Sequence, residues 1–330
     1  MSADAAPAVP GSGEDDIPSP PRPVITPKDI YEVPRLAVQG LLAWALPESA
    51  WWSLSRLFGQ MNAVTHPSRT RREAADVACV LAGTPVASRI ARIAAANWAN
   101  RYEERFHYLR AWRPGGWNPY LEVVGVEHVS AALAKGRGIL FWAGNFSFND
   151  LVTKMAWHQL GLSVSHFSRP IHGFSTTQFG VRYLNAVRRR IEDRYLGERL
   201  MVEIEETRGA MERMRDRLAD NGAVSFTVGN RGHRTATASF LGGHITLATG
   251  PLALARVVGA TVLPVYTLRL APRWFEITIG PPLGVPQGAA GNPDYAAAVQ
   301  AYADRLAPFV LRDPGQWRGW RYTRTRSDEP

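Results

Sequence analysis

Apolar positions recur along this chain in two rhythms. Between residues 89 and 112, Ile90, Ile93, Ala94, Trp98, Tyr102, Phe106 and Leu109 return every three or four residues, which predicts an amphipathic helix with a solvated charged face. Further on, short runs with few polar residues at 121–124, 139–142, 162–168, 223–228, 261–270 and 274–279 predict strands. Between and after them, helical spacing or helix punctuation marks 127–134, 145–160, 179–195, a stretch carrying Ile204, Met211, Met214 and Leu218, then 251–258 and 295–311. Strands and helices alternate, so the fold expected is α/β, a mixed and mostly parallel central sheet flanked by helices in the doubly wound manner.

The N-terminal third follows another pattern. Residues 1–28 are rich in Pro, Ala, Gly, Ser and Asp with almost no large apolar residue, so they cannot recover the entropy of ordering and are expected to form a disordered tail. MSADAAPAVPGSGEDD also lacks the basic region and apolar core of a secretory signal. Residues 29–62 hold two apolar stretches separated at Pro47, each too short to cross a bilayer. They predict helices lying in a membrane surface, with Trp44, Trp51 and Trp52 near headgroups and Arg35 and Arg56 meeting lipid phosphates; the alternative is two amphipathic helices packed on the core. Residues 66–85 predict a loop and a short helix, and 63–330 the α/β domain.

GRGILFWAGNFSFNDL at 136–151 is the stretch the domain is organised around. Ile139, Leu140, Phe141 and Trp142 suit a strand buried on both faces, and the run then stops at Ala143-Gly144 before a polar turn opens a helix. A polar loop at the C-terminal end of a buried strand is where open α/β sheets place their chemistry.

Composition narrows the partners. The net charge of +9 over 330 residues rests on arginine, since Lys28, Lys135 and Lys154 are the only lysines. Nucleic acid, an anionic membrane, an acidic carrier, or simply high-GC coding would each account for it. The basic and aromatic runs at 188–190 and 317–326 look like those of single-strand binders, yet lipid or carrier phosphates satisfy the same electrostatics and no nucleic-acid motif accompanies them. Cys79 stands alone among apolar neighbours and is expected to be a small packed hydrophobe. The histidines are scattered, with no ligand spacing for a metal, and no P-loop, dinucleotide fingerprint, HExxH or GxSxG occurs, so neither metal nor cofactor is implied.

The turn GILFWAGNFSFNDL, together with LEVVGVEHVSAALAKGRG before it, resembles the late acyltransferases of lipid A biosynthesis within the wider glycerophospholipid acyltransferase superfamily. HFSRP at 166–170, SFLGGHITLATGPLALARVVGATVLPVY at 239–266 and DPGQWRGW at 313–320 extend the likeness across about residues 30–320. The resemblance implies an acyltransferase, peripheral or N-terminally anchored on the cytoplasmic face of a bacterial inner membrane. It would take acyl groups from acyl carrier protein or coenzyme A to a glycolipid or similar amphiphile. The family writes its turn as His, four residues, then Asp or Glu. Here Asp150 keeps the acid but Asn145 stands at the histidine, and Gly229-Asn230-Arg231 replaces the acid expected at the end of a later strand. Arg169 falls where the family's arginine holds anionic groups.

Asn145 cannot serve as the base that a hydroxyl acceptor needs, because an amide takes up no proton near neutral pH; loss of a general base costs about 10²–10⁴ in rate. Three accounts stay open. The base has moved, to Asp150 or to a histidine such as His172 or His233; the acceptor is an amine, with Asn145 orienting; or the chain binds lipid or carrier without turnover. The candidate site is therefore Asn145 and Asp150 for catalysis, with Arg169, Asn230, Arg231 and His233 for substrate.

Overall fold

The computed structural model describes residues 22–170, 173–202, 207–288 and 291–324. Four helices come first: α1 (Pro27–Ala45), α2 (Glu48–Thr65), α3 (Pro67–Leu81) and α4 (Ile90–Ala111). The α/β part then runs β1 (Tyr120–Val124), α5 (Val126–Ala134), β2 (Ile139–Ala143), α6 (Asn149–Gln159), β3 (Val164–Ser168), α7 (Asn185–Glu192), β4 (Glu198–Met201), α8 (Thr207–Ala219) and β5 (Ala223–Thr227). It continues with β6 (Thr235–Phe240), β7 (Gly243–Ala248), α9 (Gly250–Val258), β8 (Thr261–Ala271), β9 (Trp274–Ile279), α10 (Tyr295–Arg312) and the short β10 (Thr323–Arg324).

Seven strands form one sheet in the order β1-β9-β8-β2-β5-β3-β4. The five from β8 to β4 run parallel, while β9 pairs antiparallel with β8 and carries β1 parallel to itself, so the expected mixed, mostly parallel sheet is present. All five residues of β2 are buried. Leu140 and Trp142 enter the core under α8, α9 and α10, with Trp142 against Tyr302 at a ring separation of 4.4 Å. Ile139, Phe141 and Ala143 enter the opposite core with Trp157 of α6 and Tyr108 of α4. A strand between two apolar layers needs side chains that satisfy both, which is why its sequence shows no alternation. Before it, Gly138 has φ +73°, and a Cβ there would stand 2.5 Å from the Leu218 carbonyl oxygen, so the approach to β2 requires glycine.

The helices at the N-terminus depart from expectation. Trp51 does not face a membrane: it is fully buried, stacked on Phe106 at 5.8 Å, and Trp52 lies under the Arg269 guanidinium at 4.6 Å. Arg35 pairs with Glu32 and is not left for lipid phosphate. Trp44 alone of the three is exposed, its indole N–H donating to the Leu109 carbonyl, while Arg110 donates to the carbonyls of Ala43 and Trp44 and so caps α1. The packed-helix alternative accounts for α2. In α1 the polarity is reversed, with Asp29, Glu32 and Gln39 buried against the domain and Ile30, Tyr31, Val33, Val38 and Leu41 exposed. No helix among the described residues is long and apolar enough to cross a membrane. The expected tail reached residue 28, yet α1 starts at Pro27, and the Pro23 and Val24 carbonyls accept from the amides of Gln178 and Phe179. The rest of that tail, residues 1–21, lies outside the described residues.

The seam between α2, α4 and β8 buries Glu103, whose carboxylate pairs with Arg269 at 2.8 Å while Oε2 has no partner. Burial, opposed by Arg269 and reinforced by Glu48, pushes this carboxyl up from 4.5 to about 7. The native state thus binds the proton more tightly than the unfolded chain. Its stabilising contribution is whole below about 4.5 and lost as pH rises through about 7. Unfolding free energy should fall by roughly 3 kcal/mol from this group between pH 5 and 8. Denaturant melts of Glu103→Gln should show that slope flattened, and an unchanged slope would remove Glu103 as its source.

Candidate active site

Because β2, β3 and β5 are parallel, the segments that follow them leave the same edge of the sheet: Asn145 after β2, Arg169 after β3 and the loop 229–234 after β5. The topology therefore carries the sequence-predicted residues to one edge, as the strand-end argument requires.

The turn at Asn145 is held by the C-terminal segment. Phe146 bridges Trp317, the Ser147 amide and hydroxyl both donate to the Gln316 carbonyl at 2.8 and 3.1 Å, and the Arg318 amide donates to the Asn145 carbonyl at 2.8 Å. Gln316 is itself fixed, accepting from the Arg269 amide and donating to the Arg269 carbonyl. The DPGQWRGW element is thus a strap whose backbone satisfies the polar groups that β2 exposes on ending. Through it Tyr322 reaches the site. Asn145 Nδ2 donates to the Tyr322 hydroxyl at 2.8 Å, and Arg321 donates to the same oxygen at 3.1 Å. Gly229 closes the group, since a Cβ there would stand 3.7 Å from that oxygen. A phenol oxygen occupies the space beside the strand end where the resemblance led us to expect an acid.

Asp150 is directed elsewhere. Its Oδ2 accepts from Arg188 at 2.7 Å, inside a buried network in which Arg188 also donates to Glu104 and Glu192, both at 3.1 Å. Glu192 further accepts from Tyr108 at 2.5 Å, Lys154 at 2.6 Å and Arg199 at 2.7 Å. Burial alone would loosen the proton of Arg188, but Tyr108, Glu104, Asp150 and Glu192 outweigh it and hold that proton more firmly than usual. For Lys154 burial wins over Glu192 and Asp150, and the ammonium is easier to neutralise than an ordinary lysine. Asn145 and Asp150 share no hydrogen bond. They are linked through a chain in which Asp150 holds Arg188, Arg188 holds Glu104, and Glu104 accepts at 3.1 Å from Arg318, whose own amide grips Asn145.

Arg169 and Arg231 come together. Burial, with the charge of Arg231 added, makes the half-buried Arg169 easier to deprotonate, and among the described residues neither arginine has a carboxylate partner. Two such cations near each other favour an anion between them. Asn230 is half-buried beside Arg231, and His233 is exposed on the same loop. His172 lies outside the described residues. Sequence reasoning missed Tyr322, Arg321 and the Arg188 network. The run 188–190 does not present one basic face: Arg188 is buried in ion pairs, Arg189 donates to the Val181 carbonyl and Arg190 is exposed.

Comparison with known proteins places these residues in context. Residues 36–321 match the family described as bacterial lipid A biosynthesis acyltransferase. The chain is also similar to phosphatidylinositol mannoside acyltransferase of Mycolicibacterium smegmatis (strain ATCC 700084 / mc(2)155), being 26% identical over 264 residues that cover 76% of this chain and 77% of that relative.

Proposed function

We propose, from the premise that this chain belongs to the bacterial lipid A biosynthesis acyltransferase family, that it moves an acyl group from a thioester donor, coenzyme A or acyl carrier protein, onto a phosphate-bearing glycolipid at a membrane surface. The observation that carries this reading is the hydrogen bond from Asn145 to Tyr322 at the end of β2. The Tyr322 oxygen accepts from Asn145 and Arg321, which leaves its own hydrogen to donate outward. A donor so fixed suits the oxygen of a thioester carbonyl as it gains negative charge. The acceptor atom bonds to the carbonyl carbon, the C–S bond breaks, and the thiolate leaves and takes up the proton that the acceptor sheds. Arg169 and Arg231 hold an anionic group of one substrate.

A second reading concerns the acceptor. Asn145 is bonded to a phenol that an arginine also grips, and one Asp150 oxygen accepts from Arg188, so the described contacts at the end of β2 are those of hydrogen-bond donors. A neutral amine needs no prior deprotonation to attack a thioester, and such a site would serve it.

The membrane part of the proposal is supported by α1, whose apolar residues face outward while its polar ones are buried. Beside it an apolar cleft of about 240 Å³, lined by Val33, Leu36, Leu109, Trp112, Phe174 and Val187, offers room for alkyl chain. The test is transfer from palmitoyl-coenzyme A to phosphatidylinositol mannoside, presented either in vesicles or in detergent micelles. The parent should acylate both. Val38→Asp combined with Leu41→Asp should lower transfer to vesicles by about tenfold or more, while transfer to micelles stays close to the parent's. An equal loss on both would remove α1 as the membrane contact, and no acylated product from the parent, with mannoside hydroxyls or with phosphatidylethanolamine as an amine acceptor, would overturn the function.

A further inference from the structure

Four arginines from α3, α4 and the C-terminal segment lie near one another, two of them at the Asn145 turn. The guanidinium carbons of Arg69 and Arg101 lie over the buried Trp98 ring at 4.5 and 4.7 Å. Arg318 grips the Asn145 carbonyl through its backbone, and Arg321 donates to the hydroxyl that Asn145 also reaches. Carboxylates are too few for these cations. Arg101 pairs with Glu73 at 2.7 Å, a carboxylate that also feels the charge of Arg69, and Arg318 pairs with Glu104 at 3.1 Å, which is shared with Arg188; Arg69 and Arg321 make no close ion pair among the described residues. Burial pushes Arg101 down to about 10, with Glu73 opposing and the charges of Arg318, Arg69 and Arg321 adding to the shift, so all three lie near Arg101.

At the buried Arg101 the neighbouring cations add to the cost of desolvation. Stacking on an aromatic ring holds guanidinium groups in fixed planes, with their N–H forks directed away from the ring. The Arg101 Nε is buried with no partner, so one donor is already desolvated. An oxyanion with several acceptor oxygens would relieve the repulsion and satisfy the forks together, and a phosphate ester matches that geometry.

We propose that Arg69, Arg101, Arg318 and Arg321 form a phosphate-ester pocket beside Asn145, distinct from the Arg169 and Arg231 pair. The pocket rests on the acyl-transfer reading for its purpose, since both sides of that reaction bring phosphate: the phosphopantetheine arm of the donor and the phosphodiester of the lipid acceptor. Its place next to the turn sets that phosphate near the carbonyl carbon. The existence of the pocket does not depend on turnover.

Binding therefore tests it without activity. The full chain is titrated calorimetrically with coenzyme A and, separately, sedimented with phosphatidylinositol vesicles. The parent is compared with Arg69→Gln/Arg321→Gln, two exposed positions that make no close ion pair among the described residues, and with Arg213→Gln/Arg215→Gln on α8, which removes the same charge elsewhere. The double variant at the pocket should weaken binding by about tenfold or more for one probe, and the α8 control by less than about threefold. Weakening confined to coenzyme A assigns the pocket to the donor, and weakening confined to vesicles assigns it to the acceptor headgroup. Equal weakening by both variants, no weakening by either, or no binding of either probe to the parent overturns the pocket. A protein that binds through Arg69 and Arg321 yet never transfers acyl groups would keep the pocket and defeat the function. One that transfers with affinity unchanged in the double variant would do the reverse.

Discussion

Replacing Arg188 with methionine is expected to lower the unfolding free energy by about 3–5 kcal/mol, enough to leave much of the protein unfolded at growth temperature. The guanidinium lies 2.7 Å from Asp150 and 3.1 Å from both Glu104 and Glu192, and sits over the Tyr108 ring at 4.4 Å. Methionine fills a similar volume but removes the charge, which leaves Asp150 and Glu104 buried with their principal cation gone. Lys154 and Arg199 still attend Glu192 and Arg318 still attends Glu104, so the cost is that of removing the one cation the three carboxylates share. The loss should be detectable in urea denaturation of purified protein, and a change below about 1 kcal/mol would show that the network is not what holds α4, α6 and α7 together.

The same network explains what could and could not be read from sequence. Strand β2 was legible because burial on both faces leaves an unbroken apolar run, and α4 because its apolar spacing repeats over 22 residues, although its charged face is not solvated as expected, since Glu103, Glu104 and His107 are buried. Asp150 was legible as a residue but its bond to Arg188 was not, since Arg188 lies 38 positions away on a helix whose phase no local pattern sets. The helix predicted over 179–195 is present as one continuous helical run, which opens with a π segment at Gly180–Leu184 and closes with a 3₁₀ turn at Asp193–Tyr195. Thr177 accepts from the Gly180 amide there, and a Cβ at Gly180 would collide with Ser175, so tertiary packing sets that start rather than helix propensity. The hairpin of β6 and β7 escaped notice because its strands are rich in Thr, Ala and Gly, with one face open to solvent. Strand β4 is four residues long, too short to declare itself, and α3 runs as one 15-residue helix where a loop and a short helix were expected.

At the candidate site, the residues singled out from the sequence after β2, β3 and β5 lie at one edge of the sheet, but the contact between Asn145 and Tyr322 was not foreseen. Asn145 and Tyr322 are separated by 177 positions, and the strap that joins them had been visible only as a Gln-Trp element near the C-terminus. An asparagine in a histidine's place reads as loss when taken alone. Paired with a phenol that an arginine also holds, it becomes part of a donor array, whose value lies in the charge it can meet and not in a proton it could take.

Removing that array should have the largest effect on rate. In Tyr322→Phe the ring and its packing stay while the hydroxyl goes, so Asn145 and Arg321 lose a shared acceptor and the carbonyl oxygen loses its donor. Loss of one such donor typically lowers turnover by about 10²–10³, whereas loss of the hydrogen bonds should cost the fold only about 1 kcal/mol. The measurement that bears most directly on the account is the acceptor-dependent rate of thioester consumption by the parent and by Tyr322→Phe, with melting curves of both run in parallel. A fall of about a hundredfold or more with closely similar melting is the result expected. Equal rates in the two proteins, or no acceptor-dependent consumption by the parent, would show that the end of β2 is not where acyl transfer takes place.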